Sequence, residues 1–540
     1  MSTINSNFQI VFVSVVFILC TFFGHAAPPH QHNANYKTAS NDGAESLQNY
    51  IGNMALTDIE LKKLAQFAIV WCHNNALILR PIGKEDRVDI AEFAPISLFP
   101  SPFPRDAFDR AMKVQEAMNL LYFRVARDHD FLMNAYKDTI RSDEFIAKLV
   151  GIVKEVQEEG IRQPITLMLQ RADYLLNVVE DNETKEVKYE PKQVEVNTGA
   201  IGGMGLKRRT TELHRRMIEK VGLDASTERV PENRPDAALV DALHMAWELF
   251  GDPDAILVKL EAIASPFVYD GRYNDEELAK KSGNRIKVES YSLSDKSERE
   301  NSTKRLQLDM EDFSLRLDGR RVAVVYSGQS ALGCNHIGEA GMEFRRIIER
   351  STAIKVPSLA IAISSSKKVQ QMLAMPGALE RFFPNPEDAA TVADIRATFA
   401  GLWGLEHNDE KTQRIIQDAI ENPGNYVLKP NKECGGNNFY DEEIAEKLKE
   451  FTPTERAAHI LMQKLQPMVV KNYLVRPFNE PKLEDVIPEL GVYGFLLGNL
   501  HDGRVLHNAH QGYHFRTKLS HVNEAGISAG FGYYDTAYLF

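Results

Sequence analysis

Residues 427–440 read Val-Leu-Lys-Pro-Asn-Lys-Glu-Cys-Gly-Gly-Asn-Asn-Phe-Tyr: a short apolar run, a lysine at its end, then a loop with an acid and two glycines. In such a segment Gly435 and Gly436 let backbone N–H groups approach a phosphate closely. Lys429 supplies positive charge, and Glu433 offers a hard oxygen ligand to the Mg2+ that accompanies ATP. The stretch carries a nucleotide signature without a Walker A sequence.

A second segment points the same way. Gln193-Val194-Glu195-Val196-Asn197 alternates with period two. That predicts a strand over 187–197 with Glu195 and Asn197 on one face, as paired oxygen donors for Mg2+, and Val194 and Val196 toward the core. A glycine-rich loop, 199–205, and a helical pattern follow. Its spacing is not G-x-G-x-x-G, and a dinucleotide-binding reading would leave Lys429 and Glu433 without a role.

Outward from these segments, strand and helix signals alternate. Thr57-Asp58-Ile59-Glu60 is a capping box opening a helix. Another helix runs from about Asp143 to Gly160, where glycine suits the position after the last turn. The apolar strand Ile165 to Leu169 is expected to deliver Arg171 to an edge. A helix over 237–250 ended at Gly251, a strand over 256–260 and a buried strand over 322–326 form an inserted α/β unit. Between the last two, Lys280 to Lys304 is polar and charged and reads as an exposed excursion.

These pieces resemble eukaryotic glutathione synthetase, an ATP-grasp ligase, over nearly everything from about residue 50 onward. The likeness includes K-K-V-Q-Q from Lys367, R-A-T-F-A-G-L from Arg396 and I-L-M-Q-K from Ile460. It continues with E-L-G-V-Y-G from Glu489, F-R-T-K from Phe515 and E-A-G-I-S-A-G from Glu524. The resemblance implies an α/β (α+β) ATP-grasp fold with an inserted Rossmann-like substrate domain and a lid. Its division would be a signal peptide (1–26), a linker (27–50), the main domain in three parts (51–236, 354–397 and 489–540), a substrate-binding domain (237–353) and a lid (398–488).

By the same resemblance, Lys367, Lys429, Glu433, Gly435, Gly436, Asn437, Asn438, Tyr440, Met462, Lys464, Glu489, Lys518 and Glu524 would hold ATP. Glu195, Asn197 and Glu433 would ligate Mg2+. Arg171 and Arg516 match the arginines facing the reacting carboxylate and the incoming glycine, both suited to stabilising an acyl phosphate and its tetrahedral adduct. Ile527 and Ser528 would complete the substrate site. Cys434 replaces the first of three family glycines.

The site for γ-glutamylcysteine departs from the family. Family serines after the metal strand are here Ala200 and Gly202. The Glu, Asn and Gln contacts of the insert are Ser265, Phe267 and Gly271. The arginine and tyrosine that follow V-V-Y in the family fall within Ser327-Gly328-Gln329-Ser330-Ala331, at Gly328 and Ala331. Each buried polar partner left unpaired changes discrimination by roughly 1–3 kcal/mol, so losing several would cost the old substrate many powers of ten in specificity. Three readings stand at this point. One is a ligase with a different acceptor acid, one a non-catalytic binding protein on the same scaffold, and one an authentic glutathione synthetase.

The chain of 540 residues is 44% hydrophobic and 26% charged, and can bury large cores. Its net charge of −12 argues against nucleic acid or an anionic membrane as main partner, leaving a small-molecule acid and an amine or amino acid. Phe8 to Phe23 is almost unbroken apolar sequence before Gly24-His25-Ala26-Ala27. It reads as a secretory signal cleaved near Ala26 or Ala27, with no membrane attachment afterwards. Cys72, Cys334 and Cys434 are too few and scattered for a disulfide framework. The leader and the altered site together resemble the secreted glutathione-synthetase-like effectors of plant-parasitic nematodes, and the family implies a homodimer.

Overall fold

The Thr57 hydroxyl accepts from Glu60 N while the Glu60 carboxylate accepts from Thr57 N, so the capping box opens the helix Asp58–Asn74 as its sequence predicts. Asp143 caps Glu144–Glu159 through Ile146 N, and Gly160 closes that helix at φ +87°, a conformation that costs glycine nothing. The computed structural model describes residues 56–540 apart from 82, 85, 86, 88, 142, 200, 262–264, 293–304, 328–337, 432–436 and 528. The leader, the linker, Glu433, Cys434, Gly435, Gly436, Ser528, Ala200 and the segment 328–331 lie outside the described residues. Among the described residues no helix is long and apolar enough to cross a membrane.

Thirteen strands among the described residues share one sheet. In chain order they begin with β1 (Ile96–Ser97), β2 (Ile165–Glu180), β3 (Val187–Asn197), β4 (Ile256–Glu261) and β5 (Val288–Ser292). Then come β6 (Leu306–Leu308), β7 (Leu315–Leu317), β8 (Arg320–Tyr326) and β9 (Ile354–Val356). The last four are β10 (Val470–Val475), β11 (Lys482–Asn499), β12 (Val505–Leu519) and β13 (Tyr533–Tyr534). The order is β10-β1-β13-β12-β11-β2-β9-β8-β7-β6, with β10 also pairing β11 to close a ring. Strands β5, β4, β8 and β9 run parallel and join β2 at Thr166, forming the inserted α/β unit expected from the alternating pattern. A separate four-stranded sheet holds Leu402–Gly404, His459–Gln463, Tyr426–Pro430 and Phe439–Tyr440.

The long strands β2, β11 and β12 present alternate residues to two faces. Ala172, Tyr174, Val196, Leu490, Val492 and Phe515 belong to the largest apolar cluster, together with residues of the helix α1 (Arg105–Arg127) such as Val114, Met118 and Leu121. Burying each such large side chain stabilises by about 1.5–3 kcal/mol relative to exposure. Three further helices matter below: α2 (Met204–Lys220), α3 (Pro235–Phe250) and α4 (Val268–Lys281).

Three expectations are corrected here. Arg171 does not stand at an edge, because β2 continues to Glu180 and is flanked at Arg171 by β3 and β11. Val194 does not share the core cluster of Val196. The pairing slips between Asp173 and Tyr174, leaving Val194 as an extra residue that packs against the cluster of Ala400, Met462 and Leu465. The stretch from Lys280 is not all excursion: Lys280 and Lys281 finish α4, and Val288–Ser292 forms β5 with Tyr291 buried.

Candidate active site

The second face of the sheet is apolar at Leu167, Leu169, Phe495 and Leu497 and turns polar from Arg171 onward. Register aligns Glu195, Asp173, Gly491 and His514 in one row, Asn197, Arg171 and Tyr493 in the next, and Glu489, Arg516 and Tyr534 in a third. Residues two apart on a strand share a face, so these rows gather on the side opposite the large core. Glu195 and Asn197 therefore do share a face, as their spacing predicts.

Two arginines are held rigidly within these rows. Arg171 Nε donates to Asp173 Oδ1 at 2.6 Å and Nη2 to Oδ2 at 2.7 Å, a bidentate fork in which Asp173 is wholly buried. Burial opposes the guanidinium charge, but Asp173 outweighs it and raises the Arg171 pKa. Asp173 Oδ2 also accepts from Asn197 Nδ2 at 3.3 Å, so one carboxylate positions both an arginine and a candidate metal ligand. Arg516 Nε donates to Glu489 Oε1 at 2.9 Å, with Nη2 making a second contact to the same oxygen. Gly491 leaves room between them: a Cβ there would lie 2.4 Å from Asp173 Oδ1.

The remaining charges converge on this face. Burial pushes the Glu195 carboxyl up, but the combined field of Lys367, Lys429, Arg171 and Arg516 holds it below the usual carboxylate range. Lys429, on Tyr426–Pro430, donates to Val194 O at 2.9 Å, and burial together with Lys367 depresses its ammonium to about 8 against the pull of Glu195, Glu524 and Glu489. Burial likewise lowers Lys518, which lies near Glu489 and Glu524. Asn438 Nδ2 and Tyr440 Oη both donate to Glu524 Oε1 at 3.1 Å, tying the small sheet to the chain after β12.

Other expected site residues are placed by their own neighbours. Lys464 pairs with Asp441 at 2.6 Å on the small sheet's side, Asn437 is exposed, and Met462 is buried beside Leu465. The Ile527 side chain is buried in the cluster of Leu206 and Tyr534. Glu195 and Asn197 are two adjacent oxygen donors in a field of cations, which fits a phosphate-borne Mg2+. Among the described residues no group of three His, Cys, Asp or Glu side chains forms a metal site on its own.

The sequence reading passed over Asp173, although Arg171-Ala172-Asp173 places it two residues from Arg171 on a strand, and that spacing alone puts it on the same face. It also passed over Lys207 of α2. This residue is 1% exposed, donates to Phe515 O at 3.2 Å and sits 4.0 Å from the Tyr534 ring centre. Burial, reinforced by Arg516 and Arg171, pushes its ammonium well below the usual lysine range. A lone lysine in a helical pattern carries no sequence signal of this position. Gly202, Ser265, Phe267 and Gly271 line a single cleft beside this face.

Residues 58–539 match the family model described as eukaryotic glutathione synthase, ATP binding domain. The chain is 33% identical to glutathione synthetase of Rattus norvegicus over 488 residues, covering 90% of this chain and 98% of that protein. It is 35% identical to the chloroplastic glutathione synthetase of Arabidopsis thaliana over 496 residues, 90% of this chain and 86% of the other. Its structure resembles that of a glutathione synthetase-like effector from Globodera pallida, with a TM-score of 0.72 and 34% identity, over 91% of this chain and 99% of that one. The mixed helix and sheet architecture is accordingly of the ATP-grasp type. With a match that spans nearly every described residue and includes the strands carrying the clustered arginines, lysines and carboxylates, the chain belongs to the eukaryotic glutathione synthetase family of ligases.

Proposed function

We propose that this chain is a secreted, ATP- and Mg2+-dependent carboxylate–amine ligase whose acceptor acid is no longer γ-glutamylcysteine, so that glutathione synthesis is weak or absent. One observation carries the proposal. The cations and carboxylates suited to ATP chemistry meet on one sheet face, while Gly202, Ser265, Phe267 and Gly271 line the adjoining cleft. In this reading 237–353 is the substrate-binding domain, 398–488 a lid over the nucleotide, and the chain works as a homodimer.

Bound with Mg2+, ATP supplies the phosphoryl group that converts the acceptor carboxylate into an acyl phosphate with release of ADP. The amine then attacks the acyl carbon, loses its proton, and phosphate leaves. Lys367, Lys429 and Lys518 hold and neutralise the phosphates; Glu195, Asn197 and Glu433 hold the metal. Arg171, fixed in its fork by Asp173, and Arg516, fixed by Glu489, stabilise negative charge that develops at the acyl carbon, with little reorganisation left to occur. A second reading, a binding protein without catalysis, is favoured by the likeness to a glutathione synthetase-like effector.

Phosphate release from ATP over a panel of small carboxylates and amines separates the two. Release that requires an acid and an amine and disappears in Glu195→Gln supports the ligase. Mg·ATP binding with no release under any pair supports the binding protein.

A further inference from the structure

At the C-terminal ends of the parallel strands β4 and β8 lies a cleft lined by Leu257 and Leu260 of β4, Leu239 and Leu243 of α3, and Phe267 and Leu278 from the α4 region. This end of a parallel sheet is where α/β units bind ligands. The cleft adjoins the arginine rows: a Cβ on Gly203 would lie 3.8 Å from Phe267 Cδ1 and 3.2 Å from the Tyr534 hydroxyl, and Tyr534 stands opposite Arg516 between β13 and β12.

Among the described residues, the charges lining the cleft are paired within the protein. Lys259 Nζ donates to both oxygens of Asp275, at 3.0 and 3.1 Å, while Asp270 accepts from Arg209 Nη1 at 3.1 Å and Gly205 N at 3.3 Å. Asn274 also lines it, and its Oδ1 is buried with no hydrogen-bond partner among the described residues. A zwitterionic γ-glutamyl head would have to break the Lys259–Asp275 pair to find counter-charges, and an unpaired buried charge is strongly disfavoured. A hydrocarbon tail gains in proportion to the area it buries, and a donor on that tail would satisfy Asn274.

We propose that the cleft takes the tail of the acceptor acid, and that this acid is an aliphatic or aryl carboxylic acid, uncharged beyond its reacting carboxylate and carrying one hydroxyl or N–H donor. The proposal rests on the ligase reading and names its substrate class. Calorimetry on the mature chain with Mg2+ and a non-hydrolysable ATP analogue tests it, using 6-hydroxyhexanoate and 3-(4-hydroxyphenyl)propanoate against γ-glutamylcysteine. The apolar acids should bind at least about tenfold tighter. Gly271→Glu, which favours the helix while adding a carboxylate to the cleft, should weaken them at least about tenfold. Cooperative unfolding of the variant shows that it folds.

Binding of γ-glutamylcysteine as tight as that of the apolar acids overturns the proposal, as does apolar binding unmoved by Gly271→Glu. With ATP in place of the analogue, apolar binding that never triggers phosphate release supports the cleft and refutes the ligase reading. Phosphate release with zwitterionic acids alone supports the ligase and overturns the cleft assignment.

Discussion

Adding one methyl group at Gly491 should disturb the site more than any exposed substitution near it. The new Cβ would lie 2.4 Å from Asp173 Oδ1 and 3.0 Å from both Arg171 Cδ and His514 Cβ, where carbon contacts favour about 3.5–4.0 Å. Asp173 is wholly buried and gripped by Arg171 at 2.6 and 2.7 Å, so it cannot retreat without disturbing that fork. If Asp173 shifts and keeps its partner, the cost is that of overpacking, about 1–3 kcal/mol. If the fork opens and leaves buried charges unpaired, it reaches about 3–5 kcal/mol. Denaturant unfolding of Gly491→Ala should show a loss within these limits, and calorimetry should show weaker Mg·ATP binding, because Asn197 loses its Asp173 contact. A variant within about 0.5 kcal/mol of wild type in stability, with unchanged Mg·ATP affinity, would refute the claim that Asp173 is immobile and positions this face.

Three shorter predictions concern the nucleotide, pH and export. Mg·ATP at a hundred times its dissociation constant should stabilise the chain by about 2.7 kcal/mol, measured by thermal unfolding, and Lys429→Ala should lose most of that gain. Lys429 has a folded-state pKa of about 8, below the value near 10.4 of an unfolded lysine, so above about pH 8 the unfolded chain binds more protons. The Lys429 contribution to stability of the nucleotide-free chain should therefore rise with pH between about 8 and 10.4, while Mg·ATP affinity falls over the same window; Lys429→Gln should flatten both trends in pH-resolved melts and titrations. Expression in a eukaryotic secretory host should yield an exported chain whose sequenced N-terminus lies near Ala27 or Pro28, whereas retention of Met1 inside the cell counts against export.

Local pattern made much of the scaffold legible. The period-two stretch ending at Asn197 marked β3, Thr57 with Glu60 marked a helix start, and Asp143 with Gly160 marked both ends of another. Pairing was not legible. The apolar run of β2 breaks at Gln170-Arg171, yet the strand continues because β3 and β11 flank it and bury its charges against one another. The slip that sends Val194 to a separate cluster is a property of the β2–β3 pair, invisible in either strand alone. For the same reason the residue types of the site were readable from motifs, whereas the role of Asp173 required knowing that Asn197 stands across from Arg171.

The central claim is that ATP chemistry survives here where recognition of γ-glutamylcysteine has been lost. The most direct measurement is kcat/KM for glutathione formation from γ-glutamylcysteine and glycine, compared with an ordinary family member. The account predicts a value lower by at least about a thousandfold, roughly 4 kcal/mol of transition-state binding, with partial recovery in Gly328→Arg combined with Ala331→Tyr. A value within about tenfold of the family enzyme would contradict it.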